Sequence, residues 1–388
     1  MSLSITQTPA LVSLAQSPII FTVAESDANL LTSSSFQYIG NLYYWQGGPN
    51  ASGSTAEYII NKYPNNSGVG IFDLNRIINS TLTDLAIQNT SNVEYFAVDF
   101  YTQYYNGAAF ITGSHLKSDV YKALDGYGIF QEPIGQNITS ASAFWPLMTD
   151  GPMTQSAFTT NYGSASVYVG TAGGTLQPNK IVYTSDLGTA NLTISGNTSS
   201  SAQVAQYPIG PSAAGFPLSG SFTYYTTQAY NDSTPLGSPI TYTIDCIQKY
   251  PNVRIKWKNR YGQFDYFNFY MVNKQSFETE KRTYQPQLGS WESSTLSYND
   301  YDSGILNYIV DSKQSISVNS FWIPESYNDV LKELLVTDEA YWVYDEPNNK
   351  VRPITITTQN ILFKTGVVDH LIQYQFDFDF GQAYKLII

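Results

Sequence analysis

Between Ile372 and Phe380 the chain alternates without a break. Ile372, Tyr374, Phe376, Phe378 and Phe380 fall on one side, and Gln373, Gln375, Asp377 and Asp379 on the other. Successive side chains of a strand point to opposite faces, so the pattern describes a strand with one buried and one wet face. A helix would scatter those large residues around its axis. Thr241 to Ile247 and Val253 to Trp257 alternate in the same way. The turn Asn259-Arg260-Tyr261-Gly262 then leads into Phe264 to Tyr270, which reads as a hairpin with aromatic cross-strand contacts. Tyr341 to Tyr344 and Val351 to Thr357, joined by Asp345-Glu346-Pro347-Asn348-Asn349, form another. Nearer the start, Ile19 to Val23, Phe36 to Trp45, Thr55 to Tyr63 and Val93 to Phe100 are β-type runs bounded by turn residues.

Helical signals are few. Asp73 stands where it can cap a short helix with Leu74, Ile77 and Ile78 on one face, and a weaker helix is expected around Asp119 to Leu124. Pro324 to Leu335 carries an apolar stripe of Val330, Leu331, Leu334 and Leu335. The expected fold class is therefore all-β. Sandwich-like N- and C-terminal units flank an inserted, loop-rich β module, with one or two short helices. The expected divisions are 1–130, 131–235 and 236–388, the last holding the helix at 324–335. The middle segment is set apart because, from Gly151 to Tyr230, only Lys180 and Asp186 carry charge. Repeated knots of Tyr, Val and Ile there argue for strands and against a flexible linker.

Charge is scarce throughout: 13% of 388 residues, about half the ~25% of an average soluble chain. With 32 Tyr, 20 Phe and 6 Trp, the deficit does not signal disorder. Hydroxyl-rich, aromatic-rich, weakly charged sequence favours strands. Nineteen basic against 31 acidic residues give a net charge of −12. No basic stripe is available for general nucleic-acid binding, and anionic membranes are disfavoured on the same ground. No apolar run reaches the ~18 residues of a spanning helix. Nor is a basic-then-apolar leader visible at the start, so no secretory signal is expected. On that expectation the Asn-x-Ser/Thr triplets at Asn50, Asn65, Asn79, Asn89, Asn137, Asn191, Asn197 and Asn231 follow from composition.

The single cysteine, Cys246, excludes an internal disulfide and a thiolate zinc cluster. His115 and His370 are the only histidines, too few for a multi-histidine metal site. Each reads as a loop residue, and nothing completes a Ser–His–Asp triad around either. Gly-x-Ser-x-Gly, Walker A and dinucleotide fingerprints are absent. Asp300 with Asp302, and Asp377 with Asp379, have the i, i+2 spacing that could serve a glycosidase needing carboxylates ~5–9 Å apart. The first pair could also offer oxygens to Ca²⁺. An acidic turn and a solvated strand face account for the two pairs equally simply. The expectation is no catalytic residue, no cofactor and no metal.

Aromatics and one charge cluster mark a surface for partners. Adjacent strand residues face opposite ways, so each of Tyr104-Tyr105 and Tyr224-Tyr225 should give one residue to the core and one to a partner. Lys274-Gln275-Ser276-Phe277-Glu278-Thr279-Glu280-Lys281-Arg282 reads as an edge strand or arm. Its charges either register a partner subunit or simply keep a solvated edge from pairing wrongly. Tyr104, Tyr105, Tyr224, Tyr225, Lys274, Phe277, Lys281 and Arg282 are the interface candidates.

Three blocks carry a family resemblance. Thr8 to Val23 with Phe36 to Ile39 and Asn61 to Ile78 forms the first, Arg254 to Phe267 the second, and Phe363 to Phe380 the third. They lie toward the two ends of the chain, and they resemble virion proteins of crass-like, short-tailed phages of Bacteroidetes. The resemblance implies a β-rich subunit of the tail or neck, as hub, ring or fibre adaptor. Such a subunit associates with copies of itself and with other virion proteins, and is assembled in the bacterial host cytoplasm. No active-site residue is implied. Two other readings stay open: a head-surface or fibre protein binding host glycans through the low-charge module, and a depolymerase using Asp300 and Asp302.

Overall fold

The computed structural model describes residues 3–46, 48, 56–82, 93–128, 146–170, 177–194, 203–245, 250–289, 294–297, 299–348, 350–364 and 372–381. Cys246, His370, Asn50, Asn89, Asn137 and Asn197 lie outside the described residues. The protein is all-β: among the described residues, 52% are strand and 7% helix. It divides into two compact units, the first Met1–Cys246 with Trp257–Asp265, the second Ile247–Lys256 with Tyr266–Ile388.

The first unit opens with β1 (Leu3–Gln7), β2 (Val12–Leu14), β3 (Ile20–Glu25), helix α1 (Ala28–Leu31), β4 (Gln37–Trp45), β5 (Tyr58–Lys62) and β6 (Val69–Asp73). Helix α2 (Asn75–Thr81), β7 (Val93–Tyr105), β8 (Phe110–Thr112), β9 (Leu116–Lys117) and β10 (Tyr121–Leu124) follow. Strands β1, β3 and β6 form one sheet; β2, β10, β7, β4 and β5 form another, with β8 and β9 on β7. The two sheets share a core of Phe21, Val23 and Phe72 from the first and Tyr38, Phe96, Val98 and Phe100 from the second. The Phe100 ring lies 5.5 Å from Phe21 and 5.1 Å from Phe72. This is a sandwich, as its alternating strands predict.

Helix α2 forms where expected and buries Leu74 and Ile78. Asp73 Oδ1 accepts the Asn75 and Ile19 amides, tying the helix start to β3. The helix expected at Asp119 to Leu124 is instead β10, pairing parallel with β2 and antiparallel with β7. Two flanking strands satisfy its backbone, and that outweighs the helical preference of Lys122, Ala123 and Leu124.

The low-charge segment builds a second sandwich. It comprises β11 (Thr154–Ala157), β12 (Ser164–Val169), β13 (Lys180–Ser185), β14 (Gly188–Thr193), β15 (Gln203–Pro208), β16 (Tyr224–Asn231) and β17 (Thr234–Ile244). A five-stranded sheet, β11-β17-β16-β13-β14, packs on the β12–β15 pair. Tyrosines fill this core because a ring supplies apolar area while its hydroxyl reaches a backbone acceptor. Tyr183 donates to the Pro208 carbonyl at 2.7 Å, and Tyr225 to that of Ile209. Tyr225 also stacks on Tyr242 at 4.9 Å. The expected boundary at 235 falls inside β17, whose pairing with β16 carries the module to Ile244. The module also packs against the first sandwich: Met148, Tyr168 and Val204 share one buried cluster with Val12, Leu14, Trp45, Tyr95 and Leu124.

Two carboxylates of this unit titrate unusually. Burial raises Glu94 from 4.5 to about 7, against the lowering effect of its bond from Thr81. Burial likewise raises Asp265 from 3.8 to about 7, against hydrogen bonds from Asn259 and Thr149. The folded protein therefore holds protons that the unfolded chain has released, so stability falls as pH rises from about 4 to about 7. Glu94→Gln and Asp265→Asn should each flatten that slope and stabilise the protein at pH 8. Urea midpoints measured across the range test it, and a wild-type midpoint that climbs between pH 5 and 7 would contradict it.

The second unit holds one sheet. Strand β18 (Val253–Lys258) enters it, followed by β19 (Phe264–Phe269), β20 (Lys274–Tyr284) and β21 (Leu306–Asn319). Helix α3 (Asn328–Val336) precedes β22 (Ala340–Asp345), β23 (Lys350–Ile356) and β24 (Gln375–Phe380). The strand order is β19-β18-β22-β23-β24-β21-β20. A sandwich was expected of this region; among the described residues, no second sheet faces this one. Apolar cover comes from the helical segment: a 3-10 turn, Glu325–Tyr327, sets Tyr327 5.5 Å from Phe267, and α3 buries Val330, Leu331 and Leu334.

Strand β18 differs from its sequence pattern. Val253, Ile255 and Trp257 are buried as predicted, but so are Arg254, Lys256 and Lys258. Each cation has its own partner. Arg254 bonds Glu346 at 2.7 Å and lies over the Tyr266 ring, and Lys256 lies over Tyr341. Lys258 pairs with Asp125 at 2.9 Å. Lone buried charges would be prohibitive, and paired ones are tolerated.

Candidate interaction surface

The surface is built on β20 and β21, which pair antiparallel from Lys274 opposite Ser317 to Tyr284 opposite Leu306. Among the described residues, strand β21 pairs with β24 only over Ser315 to Asn319. From Gln314 out to Leu306 its pairing is with β20, and every residue of β20 is exposed. A two-stranded ribbon thus runs on beyond the sheet that anchors it. Among the described residues, the sheet order leaves β20 at the edge.

Opposite residues of paired strands share a face. One face of the ribbon carries Gln275, Phe277, Thr279 and Lys281 against Ile316, Gln314, Ser312 and Val310. It extends the buried stripe of Ile316 and Val318 outward into solvent. On the other face Ser276 meets Ser315, Glu278 meets Lys313, and Glu280 meets Asp311. The last pair is of like charge, which costs stability in an isolated ribbon. Arg282 Nε, 3.6 Å from Glu280, offsets part of it. The register shifts between Arg282 and Thr283, a bulge that steepens the twist near the outer end.

Large apolar side chains concentrate here. Phe277, Tyr284 and Tyr308 are 50%, 48% and 58% exposed, and in the connecting segment Tyr301 reaches 84% and Ile305 64%. Soluble monomers seldom show apolar residues clustered this way, and such clusters mark contacts with other molecules. An 11-residue exposed edge strand is also a template for further pairing.

The expected interface residues separate accordingly. Lys274, Phe277, Lys281 and Arg282 come together on β20. Tyr105 points outward at the end of β7 with its ring 5.4 Å from Phe110, whereas Tyr104 packs on the first sandwich core. Tyr224 is exposed, but Tyr225 is fully buried under Tyr242 and Phe216, so it belongs to the core and leaves the surface set. One tyrosine of each pair does face inward, as strand geometry requires. Sequence reasoning missed Tyr284, Tyr301, Ile305 and Tyr308. The last three have one visible signal, a run of large apolar residues between Gly289 and Val310 with neither helical nor strand period.

The catalytic candidates stay apart. His115 Nδ1 lies 2.7 Å from Asp99 Oδ2 with its ring on Tyr101, an exposed imidazole on a half-buried carboxylate of β7. Asp302 accepts the Asn299 amide within a turn. Asp379 is paired with Lys313 at 2.8 Å, and Asp377 is exposed. Among the described residues no group of His, Cys, Asp or Glu could hold a metal ion. No helix among them is long and apolar enough to cross a membrane.

No family model matches the chain, and no curated protein does. Among solved structures, a mutant of Salmonella alpha-2-macroglobulin aligns with 97% of this chain and 27% of its own, at 9% identity and a TM-score of 0.17, too low for a shared fold.

Proposed function

We propose that this chain is a structural subunit of a phage virion, placed in the tail or neck as hub, ring or fibre adaptor. In this reading it works by contact and not by turnover, associating with copies of itself and with neighbouring virion proteins. The observation that carries it is the β20–β21 ribbon, a long exposed edge lined with Phe277, Tyr284 and Tyr308. An exposed edge strand offers itself to another chain for pairing, and clustered apolar side chains mark a place of contact. The likeness of three sequence blocks to virion proteins of crass-like phages supplies the particle. A low-charge, hydroxyl-rich surface suits a subunit that must fit closely against others, since interface cores are depleted of charge.

Gradient fractionation of purified particles tests this. The chain should co-sediment with particles in fixed ratio to the other structural proteins. Its absence from washed particles would remove the proposal.

A further inference from the structure

We propose that the partner of the β20 edge is the β20 edge of a second copy of this chain, paired antiparallel about a two-fold axis at Phe277. The inference rests on the self-association included in the reading above and names the surface that performs it.

Two-fold contacts are the commonest between identical chains, and each side presents the same patch. An exposed edge strand offers main-chain hydrogen bonds to any added strand, and side chains then select which strand and which register. If the axis stands perpendicular to the sheet, each residue keeps its face. Residue pairs are then fixed by the residue at the centre. Charge eliminates most centres. At Lys281 or Arg282, like cations meet on the axis, and at Glu278 or Glu280, like carboxylates do. At Thr279, Glu278 meets Glu280 twice.

A centre at Phe277 has no such conflict. Lys274 faces Glu280 of the second copy, and the axis repeats that opposite-charge pair on the other side. Gln275 faces Thr279, Ser276 faces Glu278, and the half-exposed Phe277 ring packs on its own symmetry mate. A centre at Ser276 also gives an opposite-charge pair, Lys274 with Glu278. It uses less of the strand and sets Phe277 against Gln275. Edge charges ordinarily discourage pairing. Here their spacing discourages most registers and favours one that joins two seven-stranded sheets into a continuous one.

The test is a charge exchange on the full chain, read by sedimentation equilibrium. The wild type should dimerise. Lys274→Glu and Glu280→Lys each turn both symmetric attractions into repulsions, and each should weaken the dimer roughly tenfold. The double variant restores opposite charges and should recover wild-type affinity. A wild type that stays monomeric, or a double variant no better than the singles, would overturn the inference. Fractionation of particles is independent of these results: a monomeric chain still found in particles keeps the assembly reading and loses this one.

Discussion

Lys258→Met should lower the stability of the first unit by about 3–5 kcal/mol, among the largest effects of any single substitution in the chain. Lys258 Nζ lies 2.9 Å from Asp125 Oδ2, and the two side chains are 5% and 7% exposed. The pair gains little over an apolar contact, because desolvating two ions offsets their attraction. Removing only the cation strands a buried carboxylate, which keeps a long contact of 3.4 Å from Gln16. The backbone leaves no room to adjust. Tyr127 donates its amide to the Arg260 carbonyl at 2.8 Å. Gly262, at φ +70, sits where a Cβ would come within 2.5 Å of the Asp125 carbonyl oxygen, so the loop and the hairpin tip touch main chain to main chain. The companion Asp125→Leu/Lys258→Met variant removes both ions and should recover most of the loss. Urea unfolding of the two variants decides it. A loss under about 1 kcal/mol for the single change would mean that water reaches the pair.

That pair also shows where the sequence stopped being readable. Val253 to Lys258 alternates apolar with cationic residues, and local pattern alone assigns the cations to solvent. Their counter-charges lie far along the chain, Glu346 being 92 residues from Arg254, and no local window contains both. The final strand shows the opposite case. Phe376 and Phe378 are buried and Asp377 is exposed, as alternation predicts, because one face there does meet water. Strand β10 was misread because four residues carry too little periodic signal to outweigh helix-favouring Ala and Leu. The Lys274 to Arg282 segment was legible as an edge from its mixed charges. Its partner was not, since Ile305 to Val310 has the composition of a core strand and lies instead on an exposed ribbon. Adjacent tyrosines announced that one of each pair would be inside. Which one depended on register, and register is fixed by partners outside the pair.

On the proposed virion role, cutting the ribbon back should abolish assembly and leave the fold intact. Replacing Glu278 through Lys313 by Asn-Gly joins Phe277 to Gln314, which already stand opposite each other in the register. Asn-Gly favours the two-residue turn whose twist suits an antiparallel pair. The shortened hairpin keeps Lys274 opposite Ser317, Gln275 opposite Ile316 and Ser276 opposite Ser315, whose hydroxyls lie 2.5 Å apart. It keeps the β21–β24 pairing from Ser315 to Asn319, and with it the burial of Ile316 and Val318. What it loses in the described part of the segment is exposed or half-buried, so thermal unfolding should shift by no more than a surface change would, about 0.5 kcal/mol. Interface strength, by contrast, concentrates in a few aromatic anchors, and the deletion removes Tyr284, Tyr301 and Tyr308 together with Glu280. Incorporation of the shortened chain into particles, scored by complementation in infected cells, should therefore fail while circular dichroism and melting stay those of the parent. Particles that accept the shortened chain would show that assembly does not use the ribbon. A large drop in melting temperature would show instead that the ribbon serves the fold, since a segment retained only for contact can be removed without cost to the core that carries it.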